Sequence, residues 1–209
     1  MKQANGPVVR PATRDDVTEM VRVLSAAFAH DDPIEDFVFP DERVRHRRAA
    51  RMLRLMIEYR FLPAGGAEVA IVDDKVAGVL LWYPAGYRKD FWRELVSGVQ
   101  LLFAMGTATR RGVVVDTTIE RAAPAEPNLC CVYLGCDPGV QRSGIGRALF
   151  GSLVAKADAQ SVLLYGLCKD ANVDYYRAFG LEPVAKTVLG KNGPEMNVVA
   201  RRPPRNDGA

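Results

Sequence analysis

The chain has 209 residues, with 28 Lys and Arg against 25 Asp and Glu and a net charge of +3 at pH 7. A chain of this length suits one domain with a substantial core, and so mild a charge gives no reason to expect nucleic acid as a partner. The opening residues 1–6 lack the apolar stretch of a targeting segment, and the longest apolar runs are shorter than a membrane span. We therefore expect a cytoplasmic protein that binds neither nucleic acid nor membrane.

The N-terminal part of the chain predicts one strand and two helices. Residues 8–10 are a strand candidate, and Thr13 is a suitable N-cap for an amphipathic helix that runs to about residue 29. Residues 30–40 contain two prolines and four carboxylates, which predicts an irregular loop. A second helix is expected over about residues 41–59.

The middle of the chain predicts a hairpin followed by a helical segment. The apolar runs 67–72 and 76–83 are joined by a short polar link, so the two strands must be antiparallel. From residue 87 to residue 124 the apolar spacing is helical, and Gly106 is expected to separate two helices.

The strongest chemical signal is a strand, a turn and a helix between residues 129 and 150. Residues 129–135 form a buried strand, residues 137–139 read Asp-Pro-Gly and end it, and helical periodicity begins at Gly144. This arrangement points backbone N–H groups and a helix N-terminus at one place, which favours an anion site for a phosphate.

Two common phosphate-binding loops do not fit this turn. A dinucleotide-binding turn requires a third glycine where this chain has Leu149. A Walker-type loop requires Lys and then Ser or Thr, where this chain has Arg147 and Ala148.

The C-terminal part predicts a strand over residues 161–168, a short helix over residues 172–179 ended by Gly180, and two closing strands over residues 183–189 and 196–200. The elements then follow in the order β-α-α-β-β-α-β-α-β-α-β-β, which indicates an α/β fold with a mixed sheet flanked by helices. Residues 204–209 are expected to be a disordered tail.

The cysteines and histidines give no sign of a metal site. Cys130, Cys131, Cys136 and Cys168 fall in or beside predicted core strands, without metal-ligand spacing and far in sequence from the two histidines. Cysteines in such positions act as small apolar side chains, which agrees with a reducing compartment.

Three segments resemble those of the GNAT acyltransferase superfamily: residues 141–146, which read Gln-x-x-Gly-x-Gly, residues 172–180, which read Asn-x-x-x-Tyr-x-x-x-Gly, and the opening residues 9–16. The likeness covers nearly the whole chain and is greatest to puromycin N-acetyltransferase-like members. It implies a single GNAT domain over residues 1–203, with a helical insertion at about 87–124. The implied fold is a mixed, mostly antiparallel sheet whose central parallel strand pair splays apart.

The resemblance also implies acetyl-CoA as the acetyl donor and no metal. Residues 141–146 would hold the pyrophosphate, backbone N–H groups at the end of the fourth strand would hold the pantetheine or polarise the thioester carbonyl, and Asn172 would bond to coenzyme A. An ordinary helix-entry turn and an ordinary N-cap are the alternatives for the loop and for Asn172. The implied cofactor-binding residues are Leu134, Gly135, Cys136, Val140, Gln141, Arg142, Ser143, Gly144, Ile145, Gly146, Arg147 and Asn172.

Tyr176 stands at the position of the family's general acid. A phenol is protonated at neutral pH and can donate a proton to the departing thiolate, although a packing role is the alternative, as we expect for Tyr175. No general base is evident; Asp32, Glu35, Asp36 and Glu120 are candidates, and a chain of water molecules could replace them. The strand over residues 161–168 ends Tyr-Gly-Leu-Cys, where many relatives have Glu and Ser or Thr, so the acceptor specificity of relatives does not carry over.

The implied function is transfer of an acetyl group to the primary amine of a small molecule by direct attack in a ternary complex. The carboxylates of Asp32, Glu35 and Asp36 would attract the ammonium group of that amine, and Phe37, Phe91 and Trp92 would pack against an apolar body. A solvated acidic loop and aromatic residues that belong to the core are the alternative. Two alternatives remain: a non-catalytic module that binds acyl-CoA, and an acetyltransferase of proteins or peptides. The chain would be a monomer or a homodimer.

Overall fold

The computed structural model describes residues 6–30, 32–88 and 91–204, with only the backbone for residues 91–97. Most of the tail expected at 204–209 therefore lies outside the described residues. The strands are β1 (Val8–Pro11), β2 (Ala67–Val72), β3 (Lys75–Tyr83), β4 (Asn128–Cys136), β5 (Leu163–Cys168), β6 (Glu182–Val188) and β7 (Glu195–Arg201). The helices are α1 (Val17–Ala27), α2 (Pro33–Val38), α3 (Glu42–Met56), α4 (Leu62–Ala64), α5 (Phe91–Met105), α6 (Thr109–Ala122), α7 (Ile145–Ala159) and α8 (Val173–Arg177).

The strands of the described residues form one seven-stranded sheet in the order β1-β2-β3-β4-β5-β7-β6. Neighbouring strands are antiparallel except for β4 and β5, which are parallel. The parallel pairing ends where Cys131 lies opposite Gly166, although β4 continues to Cys136 and β5 to Cys168. The predicted mixed sheet with a splayed parallel pair is confirmed.

Both faces of the sheet are covered by helices. On one face α7 inserts Leu149, Phe150 and Leu153 into a buried cluster, and on the other α1 and α3 supply Leu24 and Leu53 to a second cluster. The apolar periodicity of these helices is what buries them, because each presents one apolar face to the sheet. The sheet therefore holds the C-terminal end of β4 and the N-terminal end of α7 in fixed positions.

The hairpin and the break at Gly106 are confirmed. Asp73 and Asp74 link β2 to β3 with positive φ angles of 48° and 58°, as in the tight turns that favour aspartate. A short 3-10 turn, Gly106–Ala108, separates α5 from α6, and Gly106 has φ 58°.

The prediction of an irregular loop over residues 30–40 is wrong, because Pro33–Val38 is the helix α2. Its N-cap is Asp32, whose Oδ1 accepts hydrogen bonds from the N–H groups of Ile34 and Glu35 at 2.8 and 2.9 Å. Pro33 stands at the first helical position, where a proline costs no hydrogen bond and its φ angle suits the helix. The proline begins this helix and does not break it.

The boundaries of two other helices also differ from prediction. The helix expected at 41–59 begins at Glu42 and continues past Met56 as a π-helical turn, Ile57–Phe61. The helix expected at 172–179 is shorter, since α8 spans Val173–Arg177. No helix in the described parts of the chain has the length and apolar character to cross a membrane.

Candidate functional site

The gap between β4 and β5 leaves part of the β4 backbone without a partner strand. The N–H of Asp137 donates to the carbonyl of Ala77 on the β3 side at 2.9 Å. Hydrogen bonds in an antiparallel pair recur at every second residue, so the N–H of Gly135 also faces β3. The N–H groups of Leu134 and Cys136 then face the gap. Two of the three predicted backbone donors are in a position to meet a ligand there.

Gly135 has a packing role. An added Cβ at this residue would lie 2.9 Å from Cδ2 of Leu24 and 3.1 Å from Cβ of Ala27. The absence of a side chain lets α1 lie directly against this end of β4, so the glycine fixes one wall of the gap.

The loop between β4 and α7 ends in an open helix N-terminus. Arg142 and Gly144 have positive φ angles of 63° and 84°, and the hydroxyl of Ser143 donates to the carbonyl of Val140 at 2.5 Å. A Cβ at Gly144 would have no other atom within 4 Å, so the space in front of the helix is open. Since the first N–H groups of a helix lack intrahelical partners, those of α7 are available to an anion. The loop thus has the features of a phosphate cradle.

An ion pair ties this loop to α1. The carboxylate of Asp137 accepts from the N–H of Gly139 at 3.0 Å and from Nη1 of Arg22 at 2.6 Å. Arg22 also donates to the carbonyl of Val76 at 3.3 Å. The hydrogen bond from Arg22, followed by that from Gly139, lowers the pKa of Asp137 below its usual value. The carboxylate therefore stays ionised and holds the first turn of the loop.

Two adjacent tyrosines on α8 have different environments. Tyr176 packs its ring edge-to-face on Phe150 with centroids 5.1 Å apart, and it lines the cavity described below. Burial raises the pKa of Tyr176 well above 10, so its hydroxyl is protonated at neutral pH. Tyr175 is 37% exposed, does not line the cavity, and has its hydroxyl beside Gly146. Asn172, at the start of α8, makes no capping hydrogen bond with its side chain, which leaves that side chain available to a ligand.

A cavity of about 570 Å³ joins the gap to the space beneath α2, α5 and α6. It brings together eight of the predicted site residues: Asp32, Glu35, Leu134, Gly135, Cys136, Gln141, Asn172 and Tyr176. The other predicted residues do not line it. Apart from Asp36 they belong to the loop before α7 and to its first turn, and Ile145 among them is buried: Asp36, Val140, Arg142, Ser143, Gly144, Ile145, Gly146 and Arg147.

Solved structures share the fold over nearly the whole chain, although no family model matches the sequence. One of them is a Corynebacterium glutamicum protein described as histone acetyltransferase HPA2 and related acetyltransferase. It superposes with a TM-score of 0.73 at 20% sequence identity, covering 98% of this chain and 100% of that one. The polyamine N-acetyltransferase of Drosophila melanogaster superposes with a TM-score of 0.63 at 14% sequence identity, covering 94% of this chain and 99% of that one. Ard1 of Thermoplasma volcanium superposes with a TM-score of 0.58 at 13% sequence identity, covering 96% of this chain and 100% of that one.

The chain has the GNAT acetyltransferase fold. In terms of that fold, the splayed pair is β4 and β5, and the loop of residues 141–146 opens α7. The short helix α8 then brings Tyr176 to the same gap. At these levels of identity the likeness fixes the architecture, and the chemistry has to be argued from the residues themselves.

The carboxylates of α2 occupy two different environments. Asp32 and Glu35 line the cavity, and burial raises the pKa of each; for Glu35, burial and then the neighbouring charge of Asp32 raise it to about 7. Asp36 is 52% exposed and pairs with Nη1 of Arg45 at 2.5 Å, outside the cavity. The structure thus separates Asp36 from the other two predicted substrate residues.

Of the aromatic residues proposed for an apolar substrate body, Phe37 does not line the cavity. Phe37 packs in the cluster around Val38 and lies 5.9 Å from the guanidinium of Arg111. The side chains of Phe91 and Trp92 lie outside the described residues. Glu120, a candidate base, is exposed and does not line the cavity.

The sequence interpretation missed a charged pair in the cavity wall. Nη1 of Arg60 lies 2.8 Å from Oδ2 of Asp116, and the Arg60 side chain is 8% exposed. Arg60 belongs to the π-helical turn Ile57–Phe61, and such turns are frequent at functional sites. The available signal was Asp116 itself, an acid directly after three consecutive valines in an otherwise apolar stretch of α6.

The four cysteines are free thiols, as expected of small apolar side chains. Cys130, Cys131 and Cys168 are buried, and Cys136 is half-buried at the gap. Burial raises the pKa of all four, to about 12 for Cys130 and about 11 for Cys168. Within the described residues, no group of three or more His, Cys, Asp or Glu side chains could hold a metal ion.

Proposed function

We propose that the chain is an N-acetyltransferase that moves an acetyl group from acetyl-CoA to the primary amine of a small molecule within a ternary complex. One observation carries this proposal: a single cavity contains the unpaired backbone of β4, the hydroxyl-bearing Tyr176 and the carboxylate of Glu35. Two structural neighbours are named for related chemistry, a polyamine N-acetyltransferase that forms N-acetylagmatine and an agmatine N-acetyltransferase.

The residues of the loop fit the phosphate groups of coenzyme A. The open N-terminus of α7 offers backbone N–H groups and a favourable dipole to an anion, and Gly144 leaves the approach free. The gap beside β4 is proposed to take the pantetheine arm, and Asn172 lines the same cavity as Leu134 and Cys136. The thioester supplies an activated acetyl group when acetyl-CoA is bound.

Glu35 is the proposed general base. An alkylamine is protonated at neutral pH, and it must lose a proton before its nitrogen can attack. A carboxylate whose pKa is about 7 accepts such a proton more readily than an ordinary glutamate, because its conjugate acid is weaker. Glu35 lines the cavity on α2, and after turnover it releases the proton to solvent.

The N–H groups of Leu134 and Cys136 and the hydroxyl of Tyr176 are proposed to serve the transfer itself. As the amine nitrogen bonds to the acetyl carbon, negative charge builds on the carbonyl oxygen, where fixed backbone donors lower the barrier. The carbon–sulfur bond then breaks, the thiolate takes the proton of Tyr176, and the proton that the attacking nitrogen loses on becoming an amide restores the tyrosine hydroxyl. The products are the N-acetyl amine and free coenzyme A.

The proposal is tested by mixing the protein with acetyl-CoA and a panel of amines and measuring free thiol. We expect release with at least one small amine and a loss of most of it in Tyr176→Phe. Binding of coenzyme A without thiol release from any acceptor would favour the non-catalytic module instead. Release with peptides alone would favour the protein acetyltransferase, against which the cover of α5 and α6 over the cavity already argues.

A further inference from the structure

We infer, on the basis of the proposed function, that the acceptor is a monoamine with one cationic end and an uncharged apolar body of roughly 6–10 Å, the length set by the helical rise along α2. Diamines and amino acids of similar size should be poor acceptors. The neighbours named for polyamine and agmatine acetylation therefore share the fold with this chain and differ from it in the acceptor.

One wall of the cavity changes from carboxylate to apolar along α2. Glu35, Val38 and Phe39 all line the cavity, and residues three and four apart lie on one face of a helix. The N–H of Phe39 donates to the carbonyl of Glu35 at 2.8 Å, so Phe39 lies one turn, about 6 Å, further along the helix axis. Asp32 adds roughly another turn at the opposite end. An ammonium at Glu35 thus places its substituent against Val38 and Phe39.

The far end of the cavity is built from apolar side chains of three helices. It is lined by Met52 of α3, by Leu101 and Met105 of α5, and by Phe39. Phe39 is 2% exposed and Met105 is 3% exposed. Methionine adapts its shape to a neighbouring group, so this end can accommodate a chain or a ring. A second ammonium placed here would have to shed its water among apolar groups, which is costly without a partner charge.

The remaining acid in the cavity is already matched by a cation. Asp116 lies 2.8 Å from Arg60, so its charge is neutralised and the guanidinium repels a second ammonium. The cavity also contains Lys169, whose charge acts on Asp32 and lowers its pKa against the larger effect of burial. The charged and titratable groups that line the cavity are His30, Asp32, Glu35, Arg60, Asp116, Tyr133, Cys136, Cys168, Lys169 and Tyr176.

The test compares pairs of amines that differ by one charged group. At saturating acetyl-CoA, kcat/KM is measured for hexylamine against 1,6-diaminohexane, and for 2-phenylethylamine against phenylalanine. We expect each monoamine to be preferred by at least about 10-fold, because the second ammonium of the diamine would be buried without a partner and the carboxylate of phenylalanine would lie next to the reacting amine, beside Glu35. Either penalty should exceed the ~1.4 kcal/mol that this ratio represents. Equal or greater kcat/KM for the diamine or the amino acid would overturn the inference.

A variant makes the same test in the opposite direction. Met52→Glu puts a carboxylate at the apolar end of the cavity and should raise kcat/KM for the diamine relative to hexylamine, whereas Met52→Gln, of the same shape but neutral, should not. The comparison of paired amines in the wild type tests the inference without any variant, so misfolding of a variant would not affect that test. Turnover of the diamine alone would contradict the acceptor class and keep the proposed function. Failure of every amine tested to release thiol from acetyl-CoA would contradict both.

Discussion

Replacing Glu35 by Gln should stabilise the protein at alkaline pH while it impairs catalysis. Burial raises the pKa of Glu35 from 4.5 to about 7, so the folded environment disfavours the carboxylate by about 3 kcal/mol, at about 1.4 kcal/mol per pKa unit. The side chain is only half-buried, and solvent screening reduces this figure. We therefore expect a gain of about 1–2 kcal/mol in the free energy of unfolding when the charge is removed.

The sign of the effect depends on pH. Between 4.5 and about 7 the folded chain binds more protons at Glu35 than the unfolded chain, so the stability of the wild type falls as pH rises through this interval. Below the interval Glu35 is protonated in both states, and Glu35→Gln should match the wild type. Above it the variant should be the more stable. Urea denaturation at about pH 4 and about pH 9 measures both limits.

The neighbouring Asp36→Asn is the matched control, because Asp36 is on the same helix but exposed and paired with Arg45. It should not reproduce the gain at alkaline pH. In the amine assay, Glu35→Gln should lose about 10²-fold or more in kcat/KM, and it should lack the acidic limb near pH 7 that we expect in the pH profile of the wild type. If the two proteins have equal stability at both pH values, Glu35 is not desolvated and the argument for it as the base fails.

Three further substitutions test the other parts of the site. Tyr176→Phe keeps the ring contact with Phe150 and should lower kcat by about 10²-fold, whereas Tyr175→Phe should leave kcat unchanged. Stopped-flow assays measure the rate of the chemical step, and equal effects of the two substitutions would show that Tyr176 is not the general acid. Gly146→Glu should abolish coenzyme A binding by calorimetry, and Gly151→Glu, on the same helix with open space around it, should not. Gly135→Ala should cost about 1–3 kcal/mol in the free energy of unfolding because its Cβ would collide with α1, and a wild-type melting temperature would refute that packing.

The elements proposed to bind coenzyme A could be predicted from the sequence because their determinants are local. The strand β4, the turn and the start of α7 lie within about 20 consecutive residues, and their residue types favour a strand and a helix, with Gly144 able to adopt the positive φ angle between them. The splay of β4 from β5 came from the resemblance and is confirmed. The sequence did not reveal that the N–H of Gly135 faces β3. The direction of each N–H along β4 depends on the register of its hydrogen bonds with β3.

The acceptor side could not be predicted because it depends on contacts between distant segments. Arg60 and Asp116 are 56 residues apart, and no pattern in either segment indicates that they pair. The helix α2 was missed for a different reason. Pro33 was interpreted as a breaker, although Asp32 before it supplies the N-cap that makes a proline at the first position favourable.

The two halves of the proposed site are held by different kinds of interaction, which would allow one fold to accept different amines. The coenzyme half relies on backbone groups fixed by the sheet and by the start of α7, which most side-chain substitutions leave in place. The acceptor half relies on side chains of α2, α3, α5 and α6, and none of the residues of α6 is buried. The α6 residues that face the cavity include Asp116, which pairs with Arg60 at 2.8 Å, and Val115, which packs against the cluster around Val38. Under the proposed function, substitutions among the side chains that line the cavity would change which amine is bound at little cost to the sheet, so the acceptor has to be found in the cavity of each chain and not in its fold.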